Sequence, residues 1–96
     1  MREIRKTEMF ERWFTRLRDL NAIARIKSRI DRLQLGLLGD ARSVGEGVSE
    51  MRIDYGPGYR VYFVRQGTKV TILLAGGDKR TQSRDIEKAI ELARML

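Results

Sequence analysis

The spacing of apolar residues changes period once along this chain, and that single change limits the folds open to it. Before Asp40, Phe10, Trp13, Phe14, Leu17 and Leu20 recur three and four apart, and so do Ile23, Ile26, Ile30, Leu33 and Leu37. That spacing puts each set on one stripe of a helix. Glu11, Arg12 and Arg16 fall outside the first stripe, and Arg25, Arg29 and Arg32 lie opposite the second. Thr7 can cap the first helix, residues 19–21 break it and cap the next, and Gly36 and Gly39 supply C-terminal stops. Two amphipathic helices on a tight connection make an αα-hairpin.

From Glu50 onward the period is two. Met51, Ile53 and Tyr55 share one face, with Glu50, Arg52 and Asp54 on the other. Gly56-Pro57-Gly58 predicts a turn with proline at one central position and glycine, at positive φ, at the next. The following strand sets Tyr59, Val61 and Phe63 against Arg60, Tyr62 and Val64. Residues 66–69 turn the chain, and residues 69–75 form the most apolar strand, expected at the centre of the sheet. Ile86, Ala89, Ile90 and Ala93 mark a last helix from about Ser83. Residues 2–6 read as an edge strand, and residues 41–47 as irregular chain with room for a short strand around Val44. The order expected is β-α-α-β-β-β-α, an α+β domain with the hairpin and C-terminal helix packed on a mainly antiparallel sheet.

Length and composition narrow the chemistry. Ninety-six residues with 42% hydrophobic content suit one domain, residues 1–96, with a two-layer core. There is no repeat or low-complexity tract. The first 40 residues carry 10 basic and 6 acidic groups and the rest carry 10 and 7, so no basic tail accounts for the net charge of +7. A polyanionic partner is expected. The absence of cysteine excludes disulfides and thiolate chemistry and fits a reducing cytoplasm. The absence of histidine removes the usual general base and the commonest metal ligand. No apolar run is long enough to span a bilayer, and residues 1–6 lead into no secretory signal. Any catalysis must draw on Arg, Lys, Tyr, Asp and Glu, with no metal or cofactor expected.

Three basic clusters are candidates for that work. Arg52 and Arg60 should oppose one another across the turn, an unfavourable pairing unless an anion binds between them or Glu50 and Asp54 neutralise both on a solvated face. Lys79 and Arg80 follow Gly76-Gly77, where the backbone could approach a ligand and a helix N-terminus favours anions. Arg25, Arg29 and Arg32 form a basic helical face, either solvated or in contact with RNA, and Arg65 adds a further candidate RNA contact. Tyr62 shares a face with Arg60 and could stack on a base or donate a proton, although a half-buried structural role suits it as well. Arg60 itself is expected to stand clear of the packed core.

Residues 50–63, with Gly58-Tyr59-Arg60-Val61-Tyr62-Phe63 at their end, and residues 73–82, with Gly76-Gly77-Asp78-Lys79, resemble the RelE/ParE superfamily of bacterial toxins. The resemblance extends over the whole chain and is nearest to the HigB-like branch known as addiction module killer proteins. It implies a RelE-like fold and a cytoplasmic toxin held in check by a cognate DNA-binding, helix-turn-helix antitoxin. RelE and HigB members cut mRNA on the ribosome without a metal, by attack of the ribose 2′-oxygen on the adjacent phosphate. By motif position Arg60 matches the family's phosphate-stabilising arginine, Arg52 falls near a RelE strand lysine, and Lys79 and Arg80 match the basic loop. Glu50 stands where RelE has a second lysine, and Ile86 where it has a helical tyrosine; Tyr62, Lys79 and Asp54 remain as candidate proton carriers. ParE members share the fold but poison DNA gyrase, and a third possibility is a protein kept only as partner of a repressor.

Overall fold

Thr7 starts the helical half of the chain and also fastens it to the sheet. Its Oγ1 accepts from Phe10 N at 3.1 Å, capping helix α1 (Glu8–Thr15), and donates to Leu74 O at 2.6 Å. In this computed structural model, which describes residues 1–96, Asp19 then caps α2 (Leu20–Gln34), with Oδ1 accepting from Asn21 N at 2.9 Å and Ala22 N at 3.2 Å. The second helix ends three residues short of Leu37. Gly36 at φ 85° lets Gly36 N donate to Leu33 O and Leu37 N to Arg32 O, both at 2.9 Å, and Leu37 is left exposed.

Five strands form one sheet in the order β1-β5-β4-β3-β2, from β1 (Glu3–Lys6), β2 (Ala41–Gly45), β3 (Val48–Ile53), β4 (Tyr59–Gln66) and β5 (Val70–Asp78). Only β1 with β5 is parallel; the other three pairings are antiparallel. Helix α3 (Gln82–Arg94) follows a single 3-10 turn over Lys79–Thr81. The sequence counted four strands, and β2 is the additional one, in the segment read as irregular around Val44. Glu46 at φ 52° between Gly45 and Gly47, both also at positive φ, makes the tight reversal that lets β2 fold back on β3. The centre of the sheet is β4, with β5 beside it. No helix of the chain is long and apolar enough to cross a membrane.

The expected two-layer core is in fact two cores, one on each side of the sheet. Phe10, Ile26, Leu33, Met51, Val61, Phe63 and Leu73 pack under the helical hairpin. Val48, Tyr62, Ile72, Leu74, Ala75 and Ala89 pack under α3. The cause is legible in β4, whose stretch from Val61 to Val64 is apolar or aromatic on both faces and so needs cover on both.

The β4–β5 register slips once. Tyr62 pairs with Ala75 and Phe63 with Leu73, so Leu74 is an extra residue and β5 bends there. Beyond the bulge Gly76 lies against the Trp13 ring and Gly77 against the Asp85 carboxylate. These glycines therefore admit protein side chains from either layer; the expectation that they let a ligand approach the backbone is corrected. Replacing Gly76 with alanine drives a methyl into Trp13. It should cost about 1–3 kcal/mol, the usual range for overpacking, seen as a lower urea midpoint together with a shifted emission of Trp13, the sole tryptophan.

Candidate active site

The ends of β3 and β4 and the start of the 3-10 turn enclose a hollow of about 440 Å³ lined by Asp40, Arg52, Asp54, Gly58, Arg60 and Lys79, among others. The turn between the two strands shapes its rim. Gly58 N donates to Tyr55 O at 3.1 Å, with Gly56 at φ 57° in the first central position and Pro57 in the second. Glycine thus precedes proline, the reverse of the order expected from the sequence. A positive φ at the first position matches the twist of antiparallel strands. Gly58, at φ 79°, is met by Arg60, whose Nη1 donates to Gly58 O at 2.6 Å.

Arg52 and Arg60 pair directly in the β3–β4 register, as alternation requires. Their shared face is only partly solvated, because α3 covers it at Glu50 and Tyr62 and leaves Arg52 half-exposed. Glu50 is fully buried there: Oε1 accepts from Arg42 Nε at 3.0 Å and Oε2 from Gln82 Nε2 at 2.8 Å. Arg60 is only 8% exposed, and its Nε stands 3.8 Å from Glu50 Oε2 without a hydrogen-bond partner. The expectation that Arg60 stands clear of the packing is overturned. Two guanidinium groups share one carboxylate, and Arg42, the nearer, satisfies most of it. Arg60 therefore brings an incompletely compensated charge to the hollow.

Arg52 is half-exposed and bound to Asp40, with Nη2 and Nε 3.0 and 3.3 Å from Oδ1. That bond raises the Arg52 pKa further. Asp54 makes no ion pair, so the neutralising partner of Arg52 is Asp40 and not the two carboxylates flanking it in sequence. Lys79 is exposed, lines the hollow and has no carboxylate within ion-pair distance. Arg80 points elsewhere. Its Nη2 and Nε lie 2.9 and 3.3 Å from Asp78 oxygens, holding that carboxyl below its ordinary pKa, and it faces a separate depression with Thr81, Gln82, Ser83 and Arg84. Of the four residues Arg52, Arg60, Lys79 and Arg80, three converge.

Tyr62 is not available to a base. It is fully buried beneath α3, and its hydroxyl has no hydrogen-bond partner. Burial, then the charge of Glu50, pushes its phenol pKa well up. Arg25, Arg29 and Arg32 meet at a neighbouring hollow with Ser28, Ile53 and Asp54. Arg65 lies exposed at the far end of β4, five residues and so about 17 Å from Arg60 at strand spacing. Asp40, Arg42 and Gln82 belong to the site without any sequence signal of their own. Nothing in their local pattern marks them, since each arrives from a different element.

The same residues fall within a recognised family. Residues 13–96, which include every side chain lining the hollow, match the family described as phage derived protein Gp49-like (DUF891). The chain belongs to that Gp49-like family, which sits broadly within the RelE/HigB-type toxin superfamily. A protein of Haemophilus influenzae, described as uncharacterized, is 49% identical over 94 residues, spanning 98% of this chain and 95% of its own length.

Tyr62→Phe isolates the buried phenol. An unpaired hydroxyl contributes little, so stability at neutral pH should change by less than about 1 kcal/mol. The pH dependence should change more. With its folded pKa raised above the unfolded value of about 10, the phenol stabilises the fold below that pH and loses this contribution as pH rises past it. Urea denaturation at pH 9 and pH 11 should show a smaller alkaline loss in Tyr62→Phe than in the wild type.

Proposed function

We propose that this protein is the toxin of a type II toxin–antitoxin module, an endoribonuclease that cuts mRNA on the ribosome within the bacterial cytoplasm. Its inhibitor on this reading is a cognate DNA-binding antitoxin of the helix-turn-helix kind. One observation carries the reading: Arg60, Lys79 and Arg52 border a hollow that also holds a free carboxylate, Asp54. Membership of the Gp49-like family supports the toxin class.

The reaction needs three things from such a site. A base must take the proton of the ribose 2′-hydroxyl as its oxygen bonds to phosphorus. The charge gathering on the phosphoryl oxygens must be held, and a proton must reach the 5′-oxygen as its bond to phosphorus breaks. Asp40 is committed to Arg52, which leaves Asp54 as the carboxylate at liberty to accept the first proton. Arg60, fixed by Gly58 O and the buried Glu50, presents its charge to the phosphoryl oxygens with little reorganisation. Lys79, exposed and unpaired, is placed in our scheme as the donor to the departing 5′-oxygen. The products are a 2′,3′-cyclic phosphate and a 5′-hydroxyl, and every proton and bond is accounted for without a metal or cofactor.

Primer extension on mRNA from cells expressing the protein tests this reading. Codon-phased cuts are expected, and Lys79→Ala and Asp54→Asn should each weaken them by about a hundredfold or more. Both variants should melt as the wild type does, because neither side chain is packed. Arg60→Ala should abolish cutting and also cost about 1–3 kcal/mol, since it strips a partner from buried Glu50. Intact mRNA accompanied by gyrase-linked DNA breaks would overturn the proposal in favour of a ParE-like action. An effect on repressor–operator affinity alone would leave only a partner role.

A further inference from the structure

The hollow at Arg60 does not end at the turn. Ile53 and Asp54 line it on one side and a second hollow of about 290 Å³ on the other, bordered by Arg25, Ser28, Arg29 and Arg32 of α2. The two depressions therefore lie side by side and meet at Ile53 and Asp54, the end of β3. Six basic side chains line them against two acidic ones, Asp40 and Asp54.

The second hollow differs from an ordinary solvated helix face in how its charges are used. None of Arg25, Arg29 and Arg32 has a carboxylate partner, as is also true of the exposed Arg16, Arg18, Arg65 and Arg84; what sets this hollow apart is that two of its guanidinium groups are held in place. Arg29 is fixed by neutral groups alone. Its Nη1 donates to Arg52 O at 2.5 Å, and its Nη2 to Leu38 O and Asp40 O, each at 3.3 Å. Partial burial lowers its pKa, an effect that the charge of Asp40 only partly offsets. Arg25 lies over the Tyr55 ring, 4.7 Å from its centre, and Tyr55 OH is held by Asp19 Oδ2 at 2.9 Å. Arg25 is thus pre-positioned, which lowers the entropy lost when an anion binds, and Arg29 is fixed beside it. Arg25 to Arg32 spans seven residues, about 10 Å of helix, long enough to meet successive phosphates of a single strand.

We infer that this α2 hollow is a second phosphate site for single-stranded RNA, with Arg25 and Arg32 contacting the backbone of the strand whose neighbouring linkage enters the hollow at Arg60. Arg29 acts as a strut between the two, joining α2 to the β3 carbonyl of Arg52. The inference extends the nuclease reading, since it supplies the grip for the strand that reading would cut, but it is tested by binding and does not need cutting to occur.

The experiment is fluorescence anisotropy with a labelled single-stranded oligoribonucleotide titrated at several salt concentrations. Arg25→Gln/Arg32→Gln should weaken binding and flatten the dependence of log affinity on log salt by about 1.4, at roughly 0.7 for each phosphate of the single strand that is no longer neutralised. Arg32→Gln alone, away from the Tyr55 ring, should flatten it by about half as much. Arg25→Lys/Arg32→Lys should restore most of the slope. Lys69→Gln, which removes one charge in the β4–β5 turn at the opposite end of the sheet, should leave the slope as it is in the wild type. An unchanged slope in the double glutamine variant, or polyglutamate competing as well as RNA at equal charge, would overturn the inference. Loss of phased mRNA cuts in cells with the slope effect intact would count against the nuclease alone and leave the second phosphate site standing.

Discussion

A buried carboxylate organises this molecule. Glu50 sits in β3, wholly out of water, and its two oxygens are taken by Arg42 from the neighbouring strand and Gln82 from the first turn of α3. Burying a carboxylate costs several kcal/mol unless hydrogen bonds and opposite charge replace its water. That requirement ties three elements together: β2 must supply Arg42, α3 must begin where Gln82 can reach, and β4 must bring Arg60 alongside. The third partner is the one that lines the hollow. Glu50 is already met by Arg42, so it orients Arg60 without fully cancelling it, and the guanidinium reaches the hollow fixed but still charged.

The same layering explains why the site is rigid on one side and open on the other. Below β4, the close approach of Trp13 to Gly76 and of Asp85 to Gly77 locks both helical layers onto the bent end of β5. That end leads straight into Lys79, so the bulge at Leu74 indirectly aims a catalytic candidate. Above it, the reversal at Tyr55–Gly58 and the side chains of Asp54 and Lys79 are exposed to solvent or nearly so. Fixed arginines and solvent-facing charged groups therefore stand side by side around the hollow.

Much of the fold was legible in the chain. The three- and four-residue spacing of Phe10 to Phe14 and of Ile23 to Leu33 marked the two helices, although α1 ends at Thr15 and so leaves out Leu17 and Leu20. Thr7 and Asp19 marked the caps, and the alternation from Met51 to Phe63 put Arg52 opposite Arg60. Strand β2 was harder to see, because Ala41, Arg42, Ser43, Val44 and Gly45 have too little apolar content to alternate clearly. The site was legible in part. Arg60, Arg52 and Lys79 meet as anticipated, while Arg80 is drawn off by Asp78 and Tyr62 is sealed under a helix.

Local pattern by itself determined which residues are helical, which are extended and which side chains share a face, because periodicity is a property of neighbours in sequence. It also narrowed the available chemistry, since a chain without histidine or cysteine offers neither an imidazole nor a thiolate. What covers each face was decided only in three dimensions. Alternation says that Glu50, Arg52, Arg60 and Tyr62 look the same way; it does not say that α3, from a distant part of the chain, lies over Glu50 and Tyr62 and stops short of Arg52. Burial, ion pairing and the placing of two hollows side by side depend on where distant segments come to rest, and that is settled by packing the whole chain at once.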